Sequence, residues 1–162
     1  IRSLEIVTRI PLLVVTNVGE DDLQRQVPGG ALAVSCRIEQ EISTIQDPAE
    51  RREFLESLGL TMPGVDRVNA AAYAALGLMS FYTTGPDEVR AWTIRRGSAA
   101  PVAGGKIHSD IERGFIRVEV IKYDDFVAAG SEKAAKEAGK MQLKGRDYVI
   151  EDGDVCHFLF NV

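Results

Sequence analysis

The polar stretch TNVGED, at positions 16–21, directly follows the apolar run PLLVV and has the residue types of a base-recognition site. The carboxamide of Asn17 offers a donor and an acceptor side by side, which suits the N6 amine and N7 of adenine. Glu20 adds a carboxylate in the same stretch. The stretch is therefore consistent with one wall of a nucleotide pocket. The residues taken alone favour the alternative, a plain turn at a strand end in which Asn17 bonds its own backbone.

Short strands and helices must position this stretch. Apolar runs at 11–16 and 31–36 are bounded by turn residues, which is typical of buried parallel strands. Asp47 and Pro48 suit an N-cap and the first helical position, and they predict a helix that ends at Gly59. Apolar residues at helical spacing predict another helix over 63–76. The first half therefore predicts the tail of an α/β unit.

After Gly77 the pattern changes to the alternation that is typical of strands. The segment 78–94 predicts two strands joined by a turn at Gly85 and Pro86. The order then continues with a helix over 100–112, a strand over 115–121, a short helix that Gly139 ends, and two strands around the turn Asp152–Gly153. This order predicts an α+β domain of the β-grasp type at 78–162, after the α/β part at 1–77.

The composition restricts the class of protein. A net charge of −5 argues against a simple basic clamp for nucleic acid. No apolar run approaches the roughly 20 residues that span a bilayer, and no signal peptide is recognisable, so we expect a cytoplasmic protein. Cys36 and Cys156 stand apart and outside any C-x-x-C spacing, which predicts two small hydrophobes in strands rather than a disulfide or a zinc site. The pair Asp124–Asp125 lacks a third ligand, so no metal site is predicted.

Basic residues recur in the second half of the chain. Three lysines at i, i+3 and i+7 over 133–140 form a stripe that can track phosphates. The alternative is an ordinary solvated face, because Glu132 and Glu137 are interleaved with these lysines. The candidate residues for contact with RNA are Arg90, Arg95, Arg96, Lys106, Arg113, Lys133, Lys136 and Lys140.

His108, Ser109 and Asp110 contain the residue types of a hydrolytic triad. Adjacent residues do not easily converge on one reacting atom, because a triad is defined by its geometry across the fold. We therefore expect a local role for His108 in a turn or a helix cap, and no catalytic residue is predicted. Trp92 alternates with its neighbours in a hairpin, which favours core packing over stacking on bases.

Three long stretches carry a family resemblance: EVRAWTIRRGSAAPVAGGKIHSDIERGFIRVEVIKYDDF, KEAGKMQLKGRDYVIEDGDV and the terminal FLFNV. They closely resemble the C-terminal region of the YchF/Obg-like ATPases, whose last domain is a TGS domain of the β-grasp type. The resemblance covers 77–162, and a weaker similarity extends back to residue 1. It implies a partial P-loop NTPase α/β domain at 1–77 and a TGS domain at 78–162.

The resemblance also assigns the first motif. Members of this family carry Asn-x-x-Glu where other P-loop GTPases carry the guanine-reading Asn-Lys-x-Asp, and residues 17–20 match the former pattern. The segment 34–36 resembles the second base-side segment, where backbone amides approach the purine; the alternative is that Ser35 caps the segment after it. The implied nucleotide-binding residues are Asn17, Val18, Glu20, Ser35 and Cys36, with adenine preferred over guanine. The interval between the two segments is shorter than is usual in the family.

The phosphate-binding part of such a pocket is not recognisable in the sequence. A P-loop requires G-x-x-x-x-G-K-[ST], and GGKIHS at 104–109 lacks both the upstream glycine and the hydroxyl after Lys106. We therefore expect the rest of the pocket in sequence that this chain does not include. ATP and Mg²⁺ would belong to the intact parent protein, and the 162 residues alone are expected neither to bind nucleotide tightly nor to hydrolyse it.

Two functions from different classes are consistent with these observations. The first is a fragment of a ribosome-associated ATPase, in which the basic TGS residues contact the surface of the large and small ribosomal subunits or RNA. The second is a stand-alone TGS-type module that binds RNA or a protein without any dependence on nucleotide.

Overall fold

The computed structural model describes residues 10–25, 28–85 and 88–161 of a mixed α/β protein. Its contacts divide the chain into two compact units, Ile1–Leu76 and Gly77–Val162. Each unit has its own hydrophobic cluster. Among the described residues, no helix is both long and apolar enough to cross a membrane.

The first unit contains a two-stranded parallel sheet and three helices. The elements are β1 (Val15–Asn17), β2 (Leu32–Val34), α1 (Cys36–Thr44), α2 (Pro48–Ser57) and α3 (Gly64–Ala75), with 3₁₀ turns at Glu20–Asp22 and Pro28–Gly30. Both strands are shorter than predicted: β1 begins only at Val15, and β2 ends just before α1. The prediction of Cys36 in a strand is therefore wrong: it begins α1 and is exposed.

The predicted helices α2 and α3 are confirmed, whereas α1 was not predicted. Asp47 caps α2 by accepting a hydrogen bond from the Ala49 amide at 3.0 Å. The sequence signal for α1 is the i, i+4 pair Ile38 and Ile42, both of which are buried against Leu55 and its neighbours. A helix of nine residues after such a short strand has too few apolar positions for its period to stand out.

One carboxylate joins α3 to α1. The Glu39 side chain accepts hydrogen bonds from the backbone amides of Gly64, at 2.7 Å, and Val65, at 3.2 Å. These amides are unpaired donors of the first turn of α3, so Glu39 acts as its cap. Glycine is required at 64 because a Cβ there would lie 2.8 Å from Cγ1 of Val34.

The second unit is built around a five-stranded mixed sheet. In chain order its elements are β3 (Leu78–Thr84), β4 (Val89–Arg95), α4 (Ala100–Ile107), α5 (Ser109–Arg113), β5 (Phe115–Ile121), α6 (Tyr123–Ala129), α7 (Glu132–Glu137), β6 (Gln142–Lys144) and β7 (Val155–Phe160). The strand order is β4-β3-β7-β5-β6. The central pair, β3 and β7, is parallel, and the other neighbours are antiparallel.

The predicted β3–β4 hairpin, strand β5 and helix α7 are confirmed, and two other predictions need correction. The single helix over 100–112 is divided in two, because His108 is extended, with φ −159° and ψ 142°. The prediction of a strand directly before the turn at Asp152 is also wrong. The strand that joins the sheet in this part of the chain is the earlier β6, and Val149 makes only an isolated bridge with Ala99. The amide of Ala100 donates to Tyr148, so this segment runs beside the start of α4 rather than along the sheet.

The main core lies between one face of the sheet and helices α4 and α5. Its buried members are Met79, Phe81, Ile94, Ala100, Ala103, Ile111, Phe115, Val118, Val120, Ile150, Cys156 and Phe158. Of the two glycines in α4, which weaken a helix prediction, Gly104 has a packing reason: a Cβ there would lie 2.6 Å from Cγ2 of Ile111. Cys156 lies in β7 as predicted, and burial raises the pKa of its thiol. Ile121, Ala135 and Val155 form a smaller cluster.

A buried carboxylate holds the segment that closes the second unit. Asp154 is fully buried and accepts three hydrogen bonds: from Nζ of Lys122 at 2.7 Å, from the Tyr148 hydroxyl at 2.8 Å and from the Glu151 amide at 2.9 Å. Burial by itself lowers the pKa of Lys122, but its hydrogen bonds to Asp154, Glu151 and Tyr148 raise the pKa above its ordinary value. Burial, followed by the bond to Asp154, raises the pKa of Tyr148 to about 12. The network therefore ties β5, β7 and the 148–151 segment together.

We expect Asp154→Ala to lower the free energy of unfolding by about 2–3 kcal/mol, because it leaves Lys122 and the Tyr148 hydroxyl without their buried acceptor. Urea unfolding at neutral pH measures the loss. Asp147→Ala, an exposed residue of the same type, is the matched control and should change stability by less than about 0.5 kcal/mol. Equal effects of the two substitutions would contradict the assigned role of Asp154.

The raised pKa of Tyr148 predicts a pH-dependent contribution to stability. Its hydroxyl donates to Asp154 only while protonated, so the contribution is complete below the ordinary pKa of 10.0 and is lost as the pH rises through about 12. Tyr148→Phe should cost about 1 kcal/mol at pH 8, and this cost should shrink across that interval. Urea unfolding of both proteins across the interval tests this, with Tyr123→Phe, an exposed tyrosine, as the control. A cost that is constant with pH would contradict it.

Candidate nucleotide-base site

The parallel pairing of β1 and β2 brings the two predicted base-side segments together. Asn17, the last residue of β1, lies opposite Val34, the last residue of β2. The amide of Val18 donates to the Val34 carbonyl at 2.9 Å, which extends the pairing by one residue. Asn17 and Ser35 therefore leave the sheet at the same carboxyl edge, where ligands bind in open α/β sheets.

A hydrogen bond between the two segments fixes the Asn17 side chain. Its Oδ1 accepts from the backbone amide of Cys36 at 3.0 Å, across 19 positions of sequence. A backbone amide only donates, so the acceptor must be the carboxamide oxygen, and the NH₂ group makes no hydrogen bond to any residue that the structure describes. The alternative in which Asn17 bonds its own strand-end turn is therefore wrong. Asn17 instead caps the start of α1 from another strand.

The other predicted residues have different environments. Ser35 is buried at the N-cap position of α1, but its side chain makes no capping hydrogen bond, so the alternative role of Ser35 as a side-chain cap is wrong. Val18 packs on the cluster of Leu23, Ile38, Ile42 and Leu55. Glu20 is exposed at the start of the 3₁₀ turn and has no ion-pair partner among the described residues. The structure thus brings Asn17, Val18, Ser35 and Cys36 together. Glu20 follows Asn17 closely in sequence, but its side chain is exposed.

The orientation of the carboxamide limits what it can read. The NH₂ group of Asn17 can donate to N7, which is an acceptor in both adenine and guanine. A donor to N7 holds a purine without distinguishing the two bases. The oxygen keeps a second lone pair beside the bond from Cys36, so the pairing of Asn17 with both N6 and N7 of adenine stays a prediction. These residues fit the base of a nucleotide and supply no cradle for its phosphates.

The basic residues of the second unit do not share one surface. Arg90 and Trp92 lie on one face of β4 and Arg95 lies on the other, because side chains alternate along a strand. Arg90 lies over the Trp92 ring, 4.3 Å from its centroid. Trp92 is partly buried against the core and donates to Thr83, in agreement with the prediction of a packing role.

Most of the candidate basic side chains already have acidic partners. Arg96 contacts Asp152 at 3.0 Å, and Arg113 contacts Asp110 at 2.7 Å. Across the residues that the structure describes, Arg95 and Lys106 have no such partner. They are therefore the members of the set most available to an external phosphate.

The predicted lysine stripe is not a helical face. Helix α7 ends at Glu137, so Lys140 lies beyond it. The three lysines contact three different carboxylates: Lys133 contacts Glu137 at 4.0 Å, Lys136 contacts Glu119 at 3.4 Å, and Lys140 contacts Asp125 at 3.0 Å. The contact of these lysines with RNA stays a prediction, and their pairing with carboxylates does not favour such a contact.

His108 has the local role that was predicted. Its Nδ1 accepts a hydrogen bond from the Asp110 amide at 3.2 Å, which caps α5. Within residues 10–25, 28–85 and 88–161, no group of three or more His, Cys, Asp or Glu side chains could hold a metal ion.

Comparison with known proteins places this chain in a family. Residues 78–161 match the family model YchF-GTPase_C, described as a protein of unknown function (DUF933). The Ribosome-binding ATPase YchF of Bacillus subtilis is 42% identical over 177 residues, and that of Haemophilus influenzae is 45% identical over 174 residues. Each alignment covers 100% of this chain and 48% of the relative.

A eukaryotic relative and two solved structures extend the comparison. Obg-like ATPase 1 of Rattus norvegicus is 41% identical over 170 residues, which cover 96% of this chain and 43% of that protein. The structure of the Schizosaccharomyces pombe YchF GTPase superposes with a TM-score of 0.72 at 32% identity and covers 92% of this chain and 43% of that one. A GTP binding protein from Pyrococcus horikoshii superposes with a TM-score of 0.58 at 16% identity. The match covers 93% of this chain and 46% of that one, and it shows a shared fold only.

The chain spans about half the length of the curated relatives it matches. Its second unit coincides with the region of the family model, and the alignments continue through the first unit with its Asn17 motif. The chain therefore belongs to the YchF family and carries the C-terminal domain of that family at residues 78–161.

Proposed function

We propose that these residues are part of a ribosome-associated ATPase: the first unit holds the base of the nucleotide, and the second is a TGS domain of the β-grasp type that docks on the ribosome. The relatives named ribosome-binding ATPases support this proposal, and they are about twice as long as this chain. The groups for the phosphates and Mg²⁺ would come from the rest of such a protein. Association with the ribosome would also place it in the cytoplasm.

The observation that carries the proposal is the hydrogen bond from the Cys36 amide to Asn17. It fixes a carboxamide at the carboxyl edge of two parallel strands with its donor free, before any ligand is bound. Such preorganisation reduces the entropy lost on binding. In a turn with no binding role, a hydrogen bond from the segment after another strand would not be needed to orient this side chain.

The exposed sheet of the first unit supports a larger nucleotide domain. Parallel strands occur almost only where both faces of the sheet are covered. Here Val14 and Val15 are 48% and 44% exposed, and Leu12, just before them, is 86% exposed. Further strands and helices of a P-loop domain would cover these apolar side chains. In that domain, Asn17 would orient the base, and catalysis would depend on groups outside these residues.

The topology of the second unit supports the β-grasp assignment. Its first and last strands, β3 and β7, are parallel neighbours in the centre of the sheet, and a helix packs over one face. The long crossover that a parallel pair requires contains α4, α5 and β5.

In the complete protein, we expect Asn17→Asp to weaken ATP and GTP by the same factor, about tenfold or more. The aspartate keeps an oxygen for the Cys36 amide but loses the NH₂ donor, so the change removes the purine contact and leaves the α1 cap in place. Isothermal titration with both nucleotides measures the effect.

Asn69→Asp, an exposed asparagine on α3, is the matched control and should leave both affinities unchanged. A loss confined to one nucleotide would contradict a donor to N7, because both purines present that acceptor. Unchanged affinity for both nucleotides would overturn the base site.

For ribosome docking, we expect Arg95→Ala to reduce co-sedimentation with ribosomes more than Lys140→Ala, because Lys140 is already paired with Asp125. Loss of one phosphate contact should lower the slope of log affinity against log salt by about 1. Pelleting of the 162-residue chain across a salt series measures both affinity and slope.

The same assay on the complete protein, with and without ATP, separates the two candidate functions. Docking that changes with ATP supports the ribosome-associated ATPase. Identical docking in both conditions, together with no measurable nucleotide affinity, would favour the nucleotide-independent binding module. Equal loss in Arg95→Ala and Lys140→Ala would contradict the assigned role of Arg95.

A further inference from the structure

A cavity of about 510 Å³ in the second unit belongs to neither of these functions. It lies beside the turn that precedes β7, at the end of β5 and the start of α6. Its lining comprises Tyr82, Lys122, Tyr123, Asp124, Asp152 and Gly153. The lining combines two aromatic rings with charged groups, which is the composition of a specific polar binding site.

Two tyrosines form the aromatic part of the cavity. The ring centroids of Tyr82 and Tyr123 are 6.0 Å apart and the ring planes are inclined by 38°. Tyr82 is held by packing on the cluster of Ile121, Ala135 and Val155, whereas Tyr123 is 52% exposed. A ligand can therefore reach a ring face that the protein itself does not cover.

The cation in the lining of the cavity, Lys122, is already neutralised. Its Nζ contacts Asp154 at 2.7 Å and Glu151 at 2.9 Å, so two carboxylates accompany one ammonium. Asp152 is engaged by Arg96 and by the Ser80 amide.

The side chain of Asp124, by contrast, makes no hydrogen bond or ion pair with any residue that the structure describes. An entering ligand thus meets one free carboxylate in an acidic surrounding.

We propose that this cavity receives the guanidinium group of an arginine side chain from a basic protein partner. A guanidinium stacks on tyrosine faces through cation–π attraction, and its planar N–H groups can pair with a carboxylate in a bidentate manner. Arginine fits better than lysine because the ammonium group is compact, strongly hydrated and cannot stack. Phosphate groups of nucleic acid would meet the like charge of Asp124, Glu151 and Asp152.

The inference does not depend on the nucleotide site or on the docking role of Arg95. It concerns a protein contact made by the second unit, whatever the nucleotide state of the first. Failure of either proposed function therefore leaves it standing, and its own failure leaves them untouched.

The test is titration of the 162-residue chain with the tripeptide acetyl-Gly-Arg-Gly-amide, monitored by backbone amide NMR shifts at Tyr123, Asp124 and Gly153. The citrulline tripeptide is the matched ligand control, since it keeps the shape of the side chain without its charge. We expect saturable shifts with arginine and at least about fivefold weaker binding with citrulline. The lysine tripeptide should also bind more weakly than the arginine tripeptide.

Variants locate the contact. Asp124→Asn and Tyr123→Ala should each weaken the arginine tripeptide about fivefold. Asp125→Asn is the matched control, because Asp125 is adjacent, is paired with Lys140 at 3.0 Å and does not line the cavity. It should leave the binding unchanged.

Three results would overturn the inference. The first is no shift at the solubility limit of the arginine tripeptide. The second is equal binding of the arginine and citrulline tripeptides, or equal effects of Asp124→Asn and Asp125→Asn. The third is binding of a single-stranded RNA hexamer that shifts the same amides and strengthens in Asp124→Asn, which would identify the cavity as a site for a stacked base.

Discussion

The buried carboxylate of Asp154 is the interaction on which the second unit depends. It has no exposure to water, and three donors from three parts of the chain converge on it: Lys122 at the end of β5, Tyr148 before the closing turn and the Glu151 amide within it. An unpaired charge in this position would be costly to bury, so the donors must be in place when β7 pairs with its neighbours. The Tyr82 amide then donates to the Asp154 carbonyl at 2.8 Å and begins the central parallel pair.

This network also determines the character of the neighbouring surface. Because Asp154 and Glu151 together neutralise Lys122, the cavity beside them behaves as an acidic site even though an ammonium group lines it. The same pattern holds across the unit, where most arginines and lysines in the predicted RNA-binding set already contact a carboxylate. A count of basic residues therefore overstates the positive charge available to a phosphate, and the proposed docking would depend on cations such as Arg95, which has no acidic partner among the described residues.

In the first unit, one contact has a structural role and also carries the proposed binding role. A single backbone donor, the Cys36 amide, orients the Asn17 carboxamide and at the same time receives the cap that the start of α1 needs. One hydrogen bond thus stabilises the fold locally and holds the group that is proposed to bind the purine. Val15 of β1 and Val14 before it are exposed, and the proposed larger nucleotide domain would cover them.

The sequence by itself determined the mixed α/β class, helices α2 and α3, and the β3–β4 hairpin, because caps, turn residues and apolar periods are local signals. Its resemblance to known proteins over long stretches identified the family. It also located Asn17 and the segment around Ser35. Only the tertiary structure decided which end of the carboxamide is free, since this depends on an amide 19 positions away. The same holds for the division of the 100–112 helix at His108, for the partners of the lysines and for the cavity between Tyr82 and Tyr123. The orientation of the carboxamide, the partners of Lys136 and Lys140 and the cavity depend on contacts between residues distant in sequence, about which local patterns carry no information. His108 instead divides the helix with a local cap on the Asp110 amide, which the apolar pattern does not reveal.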